Sequence, residues 1–345
     1  MSERIAPMPA QKTAIAKRNG RLDRAGDDHA HLSILRSRLL AWYDEHKRDL
    51  PWRLDRDPYR VWLSEIMLQQ TRVAAVLEHY HRFLAKFPTV RKLAGAREAS
   101  VLAAWSGLGY YRRARMLHAA AKEVVRDHGG AFPRTSEQLR ALPGIGRYTA
   151  AAIASIAYNE AVAVVDGNVD RVIARVEGKR LPGEEVWATA QNWLDQSRPG
   201  DFNQAMMELG ATVCLPRAPQ CLLCPVRETC ATRGEFKAVT AGSRQRKREI
   251  DFALARRGGD VFLVQRGKEE SLMPGMWELP LYVGNGECRE LVSLRHSITV
   301  TDYKVRVMDV PDPGAIAGRW VPSSRLSALP LTGLARKILK RVALL

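Results

Sequence analysis

Apolar residues in the first two thirds of the chain recur every three to four positions. Leu32, Leu35, Leu39 and Leu40 begin the pattern, and comparable stripes run through 61–76, 101–108, 116–125, 137–142, 148–157 and 169–176. That spacing gives each segment one apolar face, so the sequence from 31 to about 232 is predicted to be helical. Leu142-Pro143-Gly144-Ile145-Gly146 interrupts the pattern and reads as a tight turn between two helices. After Cys230 the period changes. Segments 251–265 and 297–310 alternate apolar and polar side chains over short runs, as in Val261 and Leu263 or Val305 and Val307, which predicts strands. Residues 332–345 close the chain as a basic amphipathic helix. The expected architecture is a mostly α region, 31–235, followed by a mixed α+β domain, 251–345. Residues 1–30, polar and without period, read as a flexible basic tail. The run Arg244-Gln245-Arg246-Lys247-Arg248 has no apolar anchor, so 236–250 read as a basic linker.

The length of 345 residues agrees with about two domains. Hydrophobic content of 46% with 26% charged residues describes a globular chain. The charge adds more: 54 Lys+Arg against 37 Asp+Glu leave +17. Such a surplus points to a polyanionic partner, with a basic enzyme unrelated to nucleic acid as the rival reading. No apolar run approaches the ~18 residues of a membrane span; the most apolar tract, 150–157, ends in Tyr158, Asn159 and Glu160. The first residues lack the apolar core of a secretory signal, so the expected compartment is the cytoplasm, where thiols stay reduced. Four of the five cysteines lie between 214 and 230, which argues for a metal centre over a disulfide framework.

Cys214, Cys221, Cys224 and Cys230 are spaced C-x6-C-x2-C-x5-C. Structural zinc sites usually carry two close ligand pairs, and here only Cys221 and Cys224 form one. The longer outer loops suit a [4Fe–4S] cube with four cysteine ligands; zinc, or no metal, are the alternatives that spacing leaves open. Cys288 stands alone and reads as an ordinary buried residue. The two glycines of the 142–146 turn allow close approach of another chain, and the helix that follows presents free N–H groups suited to a phosphate. Glu65 lies in an apolar helix among Trp62, Ile66 and Leu68, where burial would raise a carboxyl pKa. Asp166 follows an apolar run and precedes a helix; by itself it reads as an N-cap.

Several segments together resemble one family. They are Leu50-Pro51-Trp52-Arg53, Ser64-Glu65-Ile66-Met67-Leu68-Gln69-Gln70-Thr71, Gly107-Leu108-Gly109-Tyr110-Tyr111, the 142–149 turn, Val165-Asp166-Gly167-Asn168-Val169, Asn203-Gln204-Ala205-Met206-Met207-Glu208-Leu209-Gly210, and the four cysteines. In this order they resemble the MutY family of adenine DNA glycosylases, in the helix-hairpin-helix glycosylase superfamily. The resemblance covers about 31–235 and implies a six-helix barrel module plus a cluster module. Ser271-Leu272-Met273-Pro274-Gly275-Met276-Trp277-Glu278-Leu279-Pro280 resembles, more loosely, that family's Nudix-like C-terminal domain.

The resemblance implies roles. Releasing adenine needs an acid for the leaving base and negative charge near an oxocarbenium-like sugar. Glu65 would protonate adenine N7 and later help activate water; Asp166 would stabilise the sugar cation, and Asn168 would hold the hydrogen bonds of the site. Tyr148 occupies a slot where bifunctional relatives carry a lysine that forms a Schiff base, so a monofunctional enzyme is implied. Arg48, Trp52, Arg53, Leu68 and Glu208 match positions lining the adenine pocket, with Trp52 and Leu68 sandwiching a flipped base and Arg53 and Glu208 reading its edge. Gln70 and Tyr110, with Thr71 and Leu108, match residues that wedge into the duplex beside 8-oxoguanine. Gly144 and Gly146 would meet the DNA backbone.

The family's C-terminal Phe-Ser-His lesion loop corresponds to Arg295-His296-Ser297-Ile298-Thr299-Val300-Thr301, in which Thr299 replaces the serine hydroxyl and Val300 the histidine. The paired glutamates of a Nudix hydrolase are absent, Glu287, Arg289 and Glu290 not reproducing the spacing, so the second domain is expected to bind and not to hydrolyse. The implied activity is removal of adenine opposite 8-oxoguanine or guanine in double-stranded DNA, by a cytoplasmic, nucleoid-associated monomer of bacterial type. The rival readings are a thymine or uracil mismatch glycosylase and a non-enzymatic iron–sulfur DNA-binding protein.

Overall fold

A computed structural model describes residues 13–235, 246–270, 272–284, 288–298 and 301–345. The helices are α1 (Thr13–His46), α2 (Pro58–Leu68), α3 (Val73–Lys86), α4 (Val90–Ala94), α5 (Glu98–Trp105), α6 (Arg112–Asp127), α7 (Ser136–Leu139), α8 (Arg147–Tyr158), α9 (Gly167–Val176), α10 (Gly183–Trp193), α11 (Pro199–Thr212) and α12 (Gly333–Arg341). The strands are β1 (Arg246–Arg257), β2 (Asp260–Gln265), β3 (Trp277–Glu278), β4 (Glu290–Ile298), β5 (Thr301–Val310) and β6 (Arg319–Pro322). A mostly α region precedes an α+β region, as the hydrophobic pattern predicts. No helix among the described residues is long and apolar enough to cross a membrane. The chain divides into two compact units, Met1–Asp49 with Ala151–Lys237, and Leu50–Ala150 with Ala238–Leu345.

The first unit is helical. α1 packs against α11, and α11 against α9. Leu35, Leu39 and Tyr43 of α1 are buried, as are Phe202, Ala205, Met206 and Leu209 of α11. Residues 13–30, expected as part of a flexible tail, belong to α1. They contain no proline, and extending a helix from the packed 31–46 segment costs little per residue. Between α8 and α9 the extended run 161–165 leads to Asp166 without pairing in a sheet. Two amide side chains satisfy its backbone instead. Asn203, 2% exposed, donates to Val162 O and Ser155 Oγ at 2.9 Å each and accepts from Val164 N at 3.1 Å. Gln191 donates to Ala161 O and accepts from Ala163 N, both at 2.9 Å. These bonds answer the requirement that buried backbone groups be paired, and they fix the approach to the cap of α9.

The second unit holds two layers of interest. In its helical part Phe83 packs on Phe87 and Trp105, and Trp62 meets Phe132 edge-on at 5.2 Å between ring centroids. The apolar stripe 61–76 is not one helix: α2 stops at Leu68 and α3 starts at Val73. Periodicity alone could not show the break, whose cause lies on α6. The sheet runs β3-β2-β1-β5-β4, with β6 also on β2. β1 and β5 pair in parallel from Arg246 with Thr301 to Ala255 with Val310. Arg246–Ile250, within the stretch expected as linker, is therefore strand; backbone pairing with β5 orders it although Arg246, Lys247, Arg248 and Glu249 are exposed. Leu334, Ala335, Ile338 and Leu339 of α12 share one core with Leu254, Leu263, Val305 and Val307.

Close packing at the α9–α11 crossing gives a test. A Cβ on Gly210 would lie 2.6 Å from Asn168 Cβ and 3.0 Å from Asn168 O, whereas one on Gly146 would meet nothing within 4 Å. Gly210→Ala is expected to destabilise by about 1–3 kcal/mol through overpacking. Gly146→Ala should leave the denaturant midpoint nearly unchanged. Equal midpoints for the two variants would contradict this account.

Candidate active site

In the second unit α2 is built to bury an acid. Asp57 caps its N-terminus, accepting from Tyr59 N at 2.8 Å and Arg60 N at 3.2 Å, with Pro58 at the first helical position. Residues Val61 to Met67 are buried, and Glu65 among them is 7% exposed. Tyr148, in the first turn of α8, donates from its hydroxyl to Glu65 Oε2 at 2.8 Å. Beside it Thr149 Oγ1 accepts from Gln69 Nε2 at 3.3 Å. The turn that delivers Tyr148 is closed by Ile145 N donating to Leu142 O at 3.2 Å. Gly144 has φ 74°, and a side chain there would come 2.5 Å from Met116 Cβ, so this position demands glycine. Gly146 faces open space at the start of α8, where backbone N–H groups can meet an anion.

Gln70 (φ 55°) and Tyr110 (φ 47°) are both exposed and both left-handed, a costly state for side chains of this kind. One residue holds both loops. Arg113 Nη1 donates to Ile66 O at 2.8 Å, Met67 O at 3.0 Å and Gln69 O at 2.6 Å. Its Nη2 donates to Thr71 Oγ1 at 3.2 Å, Leu108 O at 3.1 Å and Gly109 O at 3.3 Å. The guanidinium carbon lies 5.4 Å from the Trp105 ring centroid and 5.5 Å from that of Tyr110. Burial pulls this guanidinium down to about 10, still charged at neutral pH. Sequence reasoning missed Arg113; the only trace was a basic residue on the helix directly after the Tyr110-Tyr111 motif.

In the first unit Asp166 is the N-cap of α9. Its Oδ1 accepts from Asn168 N at 2.9 Å and Val169 N at 2.8 Å, and its Oδ2 from Asn168 Nδ2 at 3.0 Å. Arg171, also missed in the sequence, lies one turn along. It donates to Asn168 Oδ1 at 2.8 Å, Gly210 O at 2.7 Å and Cys214 O at 2.9 Å. A continuous chain of bonds thus runs from Asp166 to the first cysteine of the cluster segment. Elsewhere in this unit Glu208, 1% exposed, takes three bonds from Arg48: backbone N at 3.1 Å, Nε at 2.6 Å and Nη2 at 2.8 Å. The bidentate carboxylate holds the Arg48 guanidinium above its ordinary pKa.

The four cysteines Cys214, Cys221, Cys224 and Cys230 line one small pocket, together with Arg175 and Val213. Arg175 Nη1 donates to Cys214 Sγ at 3.2 Å. Burial and the neighbouring thiols push Cys224 up to about 11. Four thiolates crowded in this way need a cationic partner, which fits a cysteine-ligated metal group. Among the described residues no set of three or more His, Cys, Asp or Glu is disposed to hold a single metal ion.

The remaining expected pocket residues are less uniform. Trp52 is 7% exposed and set edge-on to Tyr80 at 5.4 Å, a core position, while Arg53 shares its short 3-10 turn and Leu68 ends α2 half-buried. Thr299 and Val300 lie outside the described residues. The Arg113 clasp predicts that Arg113→Met will raise amide hydrogen exchange at least about tenfold over 69–72 and 107–111 while α9 and α11 keep their protection. Unchanged exchange in both loops would refute it.

Comparison with known proteins identifies the family. The profile of the HhH-GPD superfamily of base excision DNA repair proteins matches residues 63–195. The chain is 51% identical over 221 residues to the adenine DNA glycosylase of Homo sapiens, covering 60% of this chain and 40% of that protein. It is 42% identical over 317 residues to the adenine DNA glycosylase of Mus musculus, covering 85% of this chain and 61% of that one. The chain therefore spans less than two thirds of the length of these relatives. Among solved structures, a thermostable thymine-DNA glycosylase superposes with a TM-score of 0.57 at 30% identity, covering 60% of this chain and 98% of that one. With the Glu65–Tyr148 pair, the Asp166 cap and the four-cysteine cavity in place, the chain belongs to the helix-hairpin-helix superfamily of base excision DNA repair proteins, and within it to the MutY-type family of its adenine DNA glycosylase relatives.

Proposed function

We propose that the chain is a monofunctional adenine DNA glycosylase acting on adenine opposite 8-oxoguanine or guanine in duplex DNA. The observation that carries the reading is the buried Glu65 carboxyl bonded to a phenol at position 148. In this reading the neutral Glu65 carboxyl is the acid, with Tyr148 bonded to its Oε2. Proton transfer to adenine N7 lets the C1′–N9 bond break, its electron pair leaving with the base. The sugar is left as an oxocarbenium ion, stabilised by the Asp166 carboxylate, which three N–H bonds orient. Water adds at C1′ and loses its proton to the Glu65 carboxylate, giving free adenine and an abasic site. A phenol cannot form a Schiff base, so no strand cleavage accompanies release.

The base must leave the stack before this chemistry, and the exposed, clasped Gln70 and Tyr110 are suited to fill the gap, with Thr71 and Leu108 beside them. Arg48, Trp52, Arg53, Leu68 and Glu208 are assigned to the adenine pocket. Glu208 acts there through Arg48, since its oxygens already hold that guanidinium. Gly144 and Gly146 are assigned to the DNA backbone, and Thr299 to the lesion. Cys214, Cys221, Cys224 and Cys230 would hold a [4Fe–4S] cluster, whose contribution is to tie 214–230 into a fixed loop. The +17 charge supports a DNA partner, and we assign the protein to the bacterial cytoplasm as a monomer.

The solved thymine-DNA glycosylase neighbour is why a mismatch panel is the deciding assay. Duplexes carrying A:8-oxoguanine, A:G, T:G and U:G are incubated with the chain and then treated with alkali. Cleavage at adenine only after alkali is expected; cleavage at T or U would shift the assignment, and cleavage without alkali would reject monofunctional chemistry. Glu65→Gln should lose at least ~10²-fold in single-turnover rate. A rate near wild type would remove Glu65 from the acid role. Anaerobically purified protein should contain about four iron and four sulfide per chain, lost on Cys221→Ala; stoichiometric zinc would overturn the cluster assignment.

A further inference from the structure

The loop 106–111, which presents Tyr110, is fastened at both ends to the C-terminal α+β region. Ser106 and Tyr111 flank it and are 4% and 2% exposed. The Tyr111 hydroxyl donates to Leu331 O at 2.7 Å, and Ser106 Oγ lies 3.1 Å from both Leu331 O and the Tyr111 hydroxyl. Arg336 Nε, on the first turn of α12, donates to Ser106 Oγ at 2.7 Å. The protons are accounted for: the phenol donates to the carbonyl, the guanidinium to the serine oxygen, and the serine hydrogen completes the knot toward either remaining acceptor. Burial raises the Tyr111 phenol above its ordinary pKa, so it remains a donor.

The anchor for this knot is itself rigid. Trp277 N donates to Pro330 O and Thr332 N to Trp277 O, both at 2.9 Å, so Leu331 is held against β3. Thr332 Oγ1 then caps α12, accepting from Ala335 N at 3.1 Å. On the far side of the loop His79 Nε2 lies 3.2 Å from Ser106 O, and Arg113 holds Leu108 O and Gly109 O. A segment with Gly107 at φ 111°, Gly109 at φ 70° and Tyr110 at φ 47° does not keep this shape by itself. A separate bond, from Arg115 Nη2 to Pro274 O, ties the first turn of α6 to the segment before β3.

We propose that the Ser106–Tyr111–Leu331–Arg336 knot makes the C-terminal region a positioning element for the Tyr110 loop, so that this region promotes base extrusion as well as lesion contact. Tyr111 and Arg336 are positioning residues: they act through the loop and touch neither base nor sugar. The inference rests on the glycosylase reading, in which Tyr110 is the wedge. It separates extrusion from chemistry. Loosening the knot should slow release only where a paired base must be drawn out of the stack.

The test uses the full chain and the variants Tyr111→Phe and Arg336→Met. Single-turnover adenine release is measured from an A:8-oxoguanine duplex and from a duplex with adenine opposite an abasic analogue, where no partner has to be parted. Extrusion is followed in parallel by fluorescence of 2-aminopurine at the adenine position. Losing one of these hydrogen bonds should slow release from A:8-oxoguanine about three- to tenfold and lower the extrusion signal, with release opposite the abasic analogue within about twofold of wild type. Equal slowing on both substrates, or no slowing on either, would overturn the proposal. Should Tyr111→Phe fail to fold, the half-buried Arg336 still carries the comparison. Wild type that releases adenine from neither duplex would defeat the glycosylase reading instead, and the knot would then be judged on extrusion fluorescence alone.

Discussion

The guanidinium of Arg113 is the constraint on which the second unit's site depends. A helix leaves its last carbonyls without intrahelical partners, and α2 ends next to residues that must turn sharply away. Arg113 takes the carbonyls of Ile66, Met67 and Gln69, so the helix carrying Glu65 stops at Leu68 instead of running into α3. With the other half of the same planar fork it holds Leu108 and Gly109. Left-handed backbone at Gln70 and Tyr110 costs on the order of 1–3 kcal/mol each. Charge-assisted bonds from one half-buried donor are of the size needed to offset that strain, and a lysine could not reproduce the fork.

Charged side chains elsewhere also use several hydrogen bonds to fix local structure. Glu208 is nearly inaccessible and receives three donors from Arg48. Arg175, also buried, gives its terminal nitrogens to Cys214 Sγ, Leu215 O and Pro216 O. Each arrangement fixes a short segment with few alternatives, because separating either partner would leave an uncompensated charge in a poorly solvated place. The surplus positive charge of the whole chain plays a different part. It is suited to long-range attraction of a polyanion, while the buried ions set local geometry.

What could be read in the sequence was what rests on period and spacing. Helices α6, α8 and α9 follow apolar stripes, the alternation at Val305 and Val307 marks β5, and the C-x6-C-x2-C-x5-C spacing gathers into one cavity. The misses share a physical cause, namely dependence on hydrogen bonds to backbone groups distant in sequence. Arg246–Ile250 have a polar, linker-like composition, yet parallel pairing with β5, some fifty residues away in sequence, makes them strand. The α2–α3 break has no glycine or proline to announce it, since its determinant is a side chain on α6. Ser106 and Tyr111 look like ordinary members of a loop motif until the carbonyl of Leu331 is placed against them.

Asp166 shows why a structural and a catalytic assignment need not compete. Read from sequence, a carboxylate before a helix is a cap, and in the structure it is one, with Oδ1 on two backbone N–H groups. The same bonds that stabilise α9 hold the carboxylate in one rotamer and one place, which electrostatic stabilisation of a nearby cation requires. Oδ2 is steadied in turn by Asn168 Nδ2, and Asn168 by Arg171, whose remaining bonds reach Gly210 O and Cys214 O. The orientation of Asp166 is therefore set jointly by the α9 cap, the close α9–α11 crossing at Gly210 and the start of the cysteine loop. A cluster bound by that loop would bear on the carboxylate through Arg171, which bonds both Cys214 O and Asn168 Oδ1.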